Sequence, residues 1–336
     1  MSVEFLVKRL VQLLVLAFVI AATVFVLMRL TPGDPVALMM GQDFGVTQAD
    51  IDRKREALGL DDPLLVQFGR FMGGLVTGDL GRSIVSDRPV RELLLERFPA
   101  TLELTLVAMV LSFGIGVPVG VIAAVKHNSL FDRLIMGINF LGLSTPSFWQ
   151  GIMLILLFSV TLGWLPSLGR TTYGFVPDHV TGLHVLDSLI TGNWEALKYS
   201  VRHLVLPAIT AGTSYSAIVA RVVRSSLLEI MRQDYIRTGL SKGLPFWRVV
   251  RVHALRNALI PMVTVAGLEA GSLLSGSVVL ETVFSWPGLG RLLVDGIYAR
   301  DYALVQSTVI ALCVMFVMLS FVVDVIYSLI DPRIKW

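Results

Sequence analysis

Cysteine is almost missing from this chain of 336 residues, with Cys313 the only one. That excludes an intrachain disulfide, a CxxC redox pair and a cysteine zinc site. Charge is scarce too, at 16% of residues, where a soluble domain carries about a quarter. No lysine follows a glycine, so the Gly-Lys-Ser/Thr of a phosphate-cradling Walker A loop is missing. None of the five histidines is followed by glutamate, as a zinc-binding HExxH helix requires, and there is no GxGD aspartate motif. An intramembrane enzyme therefore lacks its usual signatures. The net charge of +3 hints at nucleic acid, but the basic residues form no dense stripe with interleaved aromatics, which argues against such a partner.

What the chain has in abundance is apolar surface. Hydrophobic residues make up 54% and the mean hydropathy is +0.74, so lipid is the expected solvent. A bilayer core about 30 Å thick needs ~20 apolar residues per helix. Six runs meet that need: 10–28, 101–125, 134–162, 204–223, 258–280 and 303–330, the third and last being long enough to tilt or bend. The first run is too long for a signal-peptide core and has no A-x-A site after it, so an uncleaved helix is expected. Lys8 and Arg9, Lys126 and Arg133, the cluster from Arg221 to Arg256, and Arg333 and Lys335 occupy alternate short loops. Short basic loops stay in the cytoplasm, which places both termini inside.

The long loop 31–99 then lies outside and carries helix signals of its own. Thr47 and Asp50 start one helix in capping-box spacing, with Gly59 as its stop. Pro63 opens a second, and Pro89 a third short one bearing Val90, Leu93, Leu94 and Phe98. So few residues make a small helical external cap and not a catalytic domain. The expected division is a first helix over 1–30, an external segment over 31–99 and a membrane core over 100–330.

Pro118, Pro146, Pro207 and Pro261 punctuate four spans and mark kinks. In the fifth span, Gly267 and Gly271 stand in GxxxG spacing and Ser275 extends the small face, which serves close helix packing. Glu269 sits near the middle of that span, where an ionisable group faces a cavity or a partner. Two roles stay open for it: holding the ammonium of a passing solute, or pairing with a cation on another subunit. Ser272 and Ser275 beside it, and Ser147, Phe148 and Trp149 at the Ser-Thr-Pro break, are the other candidates for lining a path.

The stretch 229–263, EIMRQDYIRTGLSKGLPFWRVVRVHALRNALIPMV, lies on the cytoplasmic side within a loop over 225–257. Asp234 is placed to cap a short helix in which Ile236 and Leu240 share a face, Gly243 ends it, and Pro245 follows. Such a helix suits docking on a soluble partner. It equally suits an amphipathic linker on lipid headgroups, with Arg232, Arg237 and Lys242 facing the phosphates.

This stretch resembles the EAA loop of ABC importer permeases: Arg237, Thr238 and Gly239 take the EAA places, Gly243 the glycine, and His253 to Arg256 the closing group. Arginine replaces the usual glutamate and proline, which matches the dipeptide, oligopeptide and nickel branch, and within it the B-type dipeptide permease subunit. Also similar to that branch are PGDP at 32–35, GLDDP at 59–63, GDLGRS at 78–83, FPATLEL at 98–104 and ETVFSWPGLGR at 281–291. The likeness spans nearly the whole chain.

The resemblance implies an all-α polytopic fold of the type I ABC importer permeases, with six transmembrane helices. It implies a homologous second permease, two ATPase subunits that carry ATP and magnesium, and an external solute-binding protein, with no cofactor or metal on this chain. Asp234, Tyr235, Arg237, Thr238, Gly239, Lys242 and Gly243 would then form the coupling helix. Gly239 either lets a partner approach the backbone closely or is a weak point in a short helix. Peptides, glutathione, nickel chelates and small sugars all remain open as solutes.

Overall fold

The computed structural model describes residues 3–30, 36, 47–57 and 59–330. The PGDP motif, Arg333, Lys335 and the side chain of Ser275 lie outside the described residues. The chain divides into two compact units, Met1–Pro99 with Pro287–Met315, and Ala100–Trp286 with Phe316–Trp336.

The first unit contains α1 (Val3–Leu30), α2 (Gln48–Ala57) and α3 (Leu64–Thr77). At the head of α2, Asp50 accepts from both the backbone N–H (3.0 Å) and the hydroxyl (2.6 Å) of Thr47, one arm of the expected capping box. Gly59 follows at φ +63°. Pro63 opens α3, which packs on α1 by placing Phe68 and Phe71 around Phe25, at 5.2 and 5.9 Å between ring centres.

The third short helix expected from the sequence is not separate. It is the start of α4 (Val90–Val125), a continuous helix of 36 residues that passes through Pro99. Proline there removes the hydrogen bond to the Leu95 carbonyl, but Leu95 is 61% exposed, so that carbonyl is not trapped without a partner. The buried residues that follow, Ala100, Thr101 and Leu104, hold the helix on course.

The second unit is built on α4, α8 (Trp194–Ile230) and α11 (Leu255–Val283). A Cβ on Gly116 would stand 2.7 Å from the Ser216 carbonyl oxygen, one on Gly120 2.6 Å from that of Ala220, and one on Gly212 2.8 Å from Leu111. These three glycines let α4 and α8 pack backbone to backbone, and any side chain there forces the helices apart. The pairing runs in parallel register. On α11 the expected GxxxG face is used unequally: a Cβ on Gly271 would meet the Phe316 ring at 2.6 Å, while one on Gly267 finds ordinary contact with Val323 at 3.6 Å.

Between α4 and α8 the third apolar run is broken. It forms α5 (Leu130–Ser144), then α6 (Ser147–Leu154) continuing as a π-helix over Ile155–Thr161, bent by 101° at the break. The cause is Pro146, which forces Thr145 into extended backbone at φ −90°, ψ 126°. Pro118, Pro207 and Pro261, by contrast, lie inside unbroken helices. A short α7 (His184–Thr191) precedes α8. Among the described residues, Val90–Val125, Trp194–Ile230 and Tyr302–Val323 are long and apolar enough to cross a membrane, and the bent pair makes a fourth if it is one span.

Candidate functional site

The segment after α8 folds into α9 (Asp234–Ser241), three residues of α10 (Phe246–Arg248) and a π turn (Val249–Ala254) that leads into α11. The cap of α9 is Gln233 and not Asp234, which lies in the first helical turn, where its charge still favours the helix dipole. At the other end Gly243 takes φ +77°. Its N–H donates to the Leu240 carbonyl at 2.9 Å and that of Leu244 to the Gly239 carbonyl at 3.3 Å, the pair of bonds that ends a helix at a left-handed glycine.

Ile236 and Leu240 do not share a buried face: Ile236 is fully buried, whereas Leu240 is 39% exposed. Ile236 alone is the anchor. It packs in a cluster with Ala124 at the end of α4, Leu227 at the end of α8, and Val249, Val250 and Ala254 before α11. One short helix is thereby keyed to the ends of three long ones, and close-packed interiors pass displacement on with little loss.

The outward surface of α9 presents Tyr235, Arg237, Thr238, Leu240 and Lys242. The Tyr235 hydroxyl accepts from Asn257 at 2.9 Å, and the Thr238 hydroxyl donates to the Asp234 carbonyl at 2.9 Å. Arg237 and Asp234 approach to 3.9 Å as exposed side chains, a contact of little energetic value. Beside them stand Phe246 and Trp247, ring centres 5.9 Å apart and both exposed. Sequence reasoning missed this pair, although two adjacent aromatics after a Gly-Leu-Pro stop are a readable signal. Gly239 has room within the chain: a Cβ would make only ordinary contacts, 3.7 Å to Leu244 and 3.8 Å to Val249.

Within the helices, Glu269 is 3% exposed. Its Oε2 accepts from the Ser112 hydroxyl of α4 at 3.3 Å, and its Oε1 has no partner among the described residues. Ser272 is exposed, its carbonyl accepting from the Tyr215 hydroxyl at 2.8 Å. Ser147 is half-buried, while Phe148 and Trp149 are 46% and 50% exposed on the outside of α6. Gln150, the last residue of the Ser144 to Gln150 break expected to line a path, turns inward. Its amide donates to Thr213 at 3.0 Å and accepts from Ser214 at 3.1 Å.

At the opposite ends of α4 and α8, motifs far apart in sequence meet. Thr101 donates to Glu281 at 2.7 Å and the Trp286 indole to the Ala100 carbonyl at 2.9 Å, which joins the FPATLEL and ETVFSWPGLGR segments. Arg170 donates twice to Glu103 Oε2, at 3.0 and 2.6 Å, and once to the Gly182 carbonyl at 2.8 Å. Glu103 Oε1 accepts from the Val185 N–H at 2.8 Å. This network pins the connection between α6 and α7 onto α4. Burial, with Arg170 close by, pushes His184 down to about 4, so its imidazole is neutral at ordinary pH.

Comparison with known proteins follows the same lines. A family described as "Binding-protein-dependent transport system inner membrane component" matches residues 116–336, and its N-terminal companion matches residues 2–105. The "Di/tripeptide transport system permease protein DppB" of Pseudomonas aeruginosa is 45% identical over 99% of this chain and 98% of its own length. The "Dipeptide transport system permease protein DppB" of Escherichia coli is 42% identical over the same shares. Among solved structures, a chain of the MetNI methionine ABC transporter in an inward-facing conformation matches with a TM-score of 0.56 at 21% identity, covering 72% of this chain and 98% of that one. The matches to the two family segments and to full-length relatives place this chain in the family of binding-protein-dependent transport system inner membrane components.

Proposed function

We propose that this chain is a membrane-spanning permease subunit of an ATP-driven ABC importer that carries di- and oligopeptides inward. The observation that carries this reading is α9, a short helix with an exposed outer face, anchored through Ile236 to the ends of three long helices. That is the form a docking lever for a soluble motor requires. The peptide substrate is supported by the relatives named for di- and tripeptide transport. In this reading the chain pairs with a homologous permease, two ATPases supply ATP and magnesium chemistry, and an external binding protein delivers the solute.

The reading includes six spans, both termini in the cytoplasm and an external segment over 31–99. The parallel packing of α4 and α8 supports it, because two helices separated by one intervening span cross in the same direction. A reporter fused after Trp336 is expected to read as cytoplasmic and one inserted near Gly41 as external. An external C-terminus would rule out this topology.

Glu269 is assigned to the path or to the seam with the second permease, and Glu269→Gln separates the two. Glutamine keeps the shape and the capacity to hydrogen-bond Ser112. If the carboxylate receives a peptide ammonium, uptake of peptides with free amino termini falls about tenfold while acetylated ones pass as before. If it pairs with a cation of the second permease, the heterodimer loses yield for every substrate, because a buried charge is left unmatched. A stable Gln variant that transports both peptide types normally would overturn both assignments.

A further inference from the structure

The first unit contains an open cavity of about 470 Å³ that the transport reading does not use. Arg29, Arg70 and Arg82 line it, and Asp79 is the one carboxylate among its lining residues. Arg70 is engaged with Asp62 and Arg82 with Asp87, while Asp79 receives the Gly81 N–H. Arg29, in the last turn of α1, meets no carboxylate among the described residues. Its guanidinium donates to Gln67 Oε1 from Nε at 3.1 Å and Nη2 at 2.9 Å, and reaches the Phe25 carbonyl at 3.5 Å. It also lies 3.5 Å over the Phe25 ring.

Gln67 is fixed in that orientation, since its amide nitrogen donates to the Leu60 and Asp62 carbonyls at 2.9 and 2.8 Å. These contacts occupy three of the five guanidinium N–H groups and supply no counter-charge. A second donor lines the same cavity: Gln306 is 4% exposed and its Nε2 has no acceptor among the described residues. A partly buried cation with spare donors, lining the same cavity as a buried amide nitrogen that has no acceptor among the described residues, suits an oxyanion.

The flanks of the cavity identify the oxyanion's carrier. Leu27 and Leu30 on α1 are 57% and 73% exposed, and Leu65 and Val76 on α3 are each 85% exposed. Arg29 ends the apolar run of α1, at the depth where arginine side chains meet headgroups. We propose that this cavity binds the headgroup phosphate of an anionic membrane phospholipid, with Arg29 and Gln306 as its donors and the apolar faces of α1 and α3 bearing its acyl chains. A free peptide carboxylate or inorganic phosphate matches the donors but leaves those faces uncovered.

The test uses the whole purified permease–ATPase complex in neutral detergent, titrated with phosphatidylglycerol, inorganic phosphate or dialanine and read by native mass spectrometry. Phosphatidylglycerol is expected to bind about tenfold more weakly to Arg29→Met and several-fold more weakly to Gln306→Leu. Arg53→Gln, which alters an exposed pair on α2, should bind as the unaltered complex does. Gln306→Leu removes the unmatched donor without leaving a cavity, so it decides the matter if Arg29→Met fails to assemble. Equal lipid binding by the unaltered complex and Gln306→Leu overturns the proposal. So does occupancy by phosphate or dialanine that phosphatidylglycerol fails to displace.

Discussion

Gly239→Arg is expected to leave an assembled complex that hydrolyses ATP yet imports roughly 5- to 150-fold less solute, the range of a coupling free energy of about 1–3 kcal/mol. Gly239→Ala is the companion variant. A Cβ at this position makes only ordinary contacts within the chain, and alanine favours a helix over glycine by about 1 kcal/mol. Alanine should therefore keep or raise stability. A loss seen with arginine and not with alanine then points to a surface outside this chain, since the position is half-exposed. Paired measurements of ATPase rate and vesicle uptake check this. Normal uptake by an assembled arginine variant would remove Gly239 from the contact.

Arg170→Met is expected to destabilise the protein by about 3–5 kcal/mol, the usual effect of breaking a buried ion pair by removing one partner. Arg170 and Glu103 are 7% and 5% exposed, so among the described residues the abandoned Glu103 carboxylate keeps only the Val185 N–H for compensation. Thermal unfolding of the purified complex reads the loss. Adding Glu103→Leu should recover most of it, because a matched apolar pair removes the unpaired charge and not merely its partner. A single variant as stable as the original protein would show that this network does not hold the connection between α6 and α7.

The helical architecture and the α9 segment were legible because their signals are local. Apolar runs of about 20 residues, a left-handed glycine at 243 and a proline at 146 act through the backbone of their own neighbourhood. What escaped depends on partners distant in sequence. Pro99 reads as a helix boundary, yet α4 continues through it because Ala100, Thr101 and Leu104 are held by residues near 204 and 281–286. Leu240 reads as the partner of Ile236, but a helix of eight residues turns only one side chain fully into the cluster. Gly116 and Gly120 have the same spacing as Gly267 and Gly271, and only the fold distinguishes the glycines that meet a backbone from the one with room to spare. The pairing of Arg170 with Glu103, 67 positions apart, has no local signature at all.

ATP-driven uptake is the most direct test of the central claim. The chain is assembled with its second permease and two ATPases in sealed liposomes, with ATP and magnesium on the ATPase side and the binding protein with labelled dipeptide on the other. Dipeptide is expected to accumulate against its gradient only with both ATP and the binding protein, and Gly239→Arg is expected to lower that accumulation roughly 5- to 150-fold while ATP is still consumed. Dipeptide flux that proceeds equally in both directions without ATP would contradict it and make the chain a passive channel.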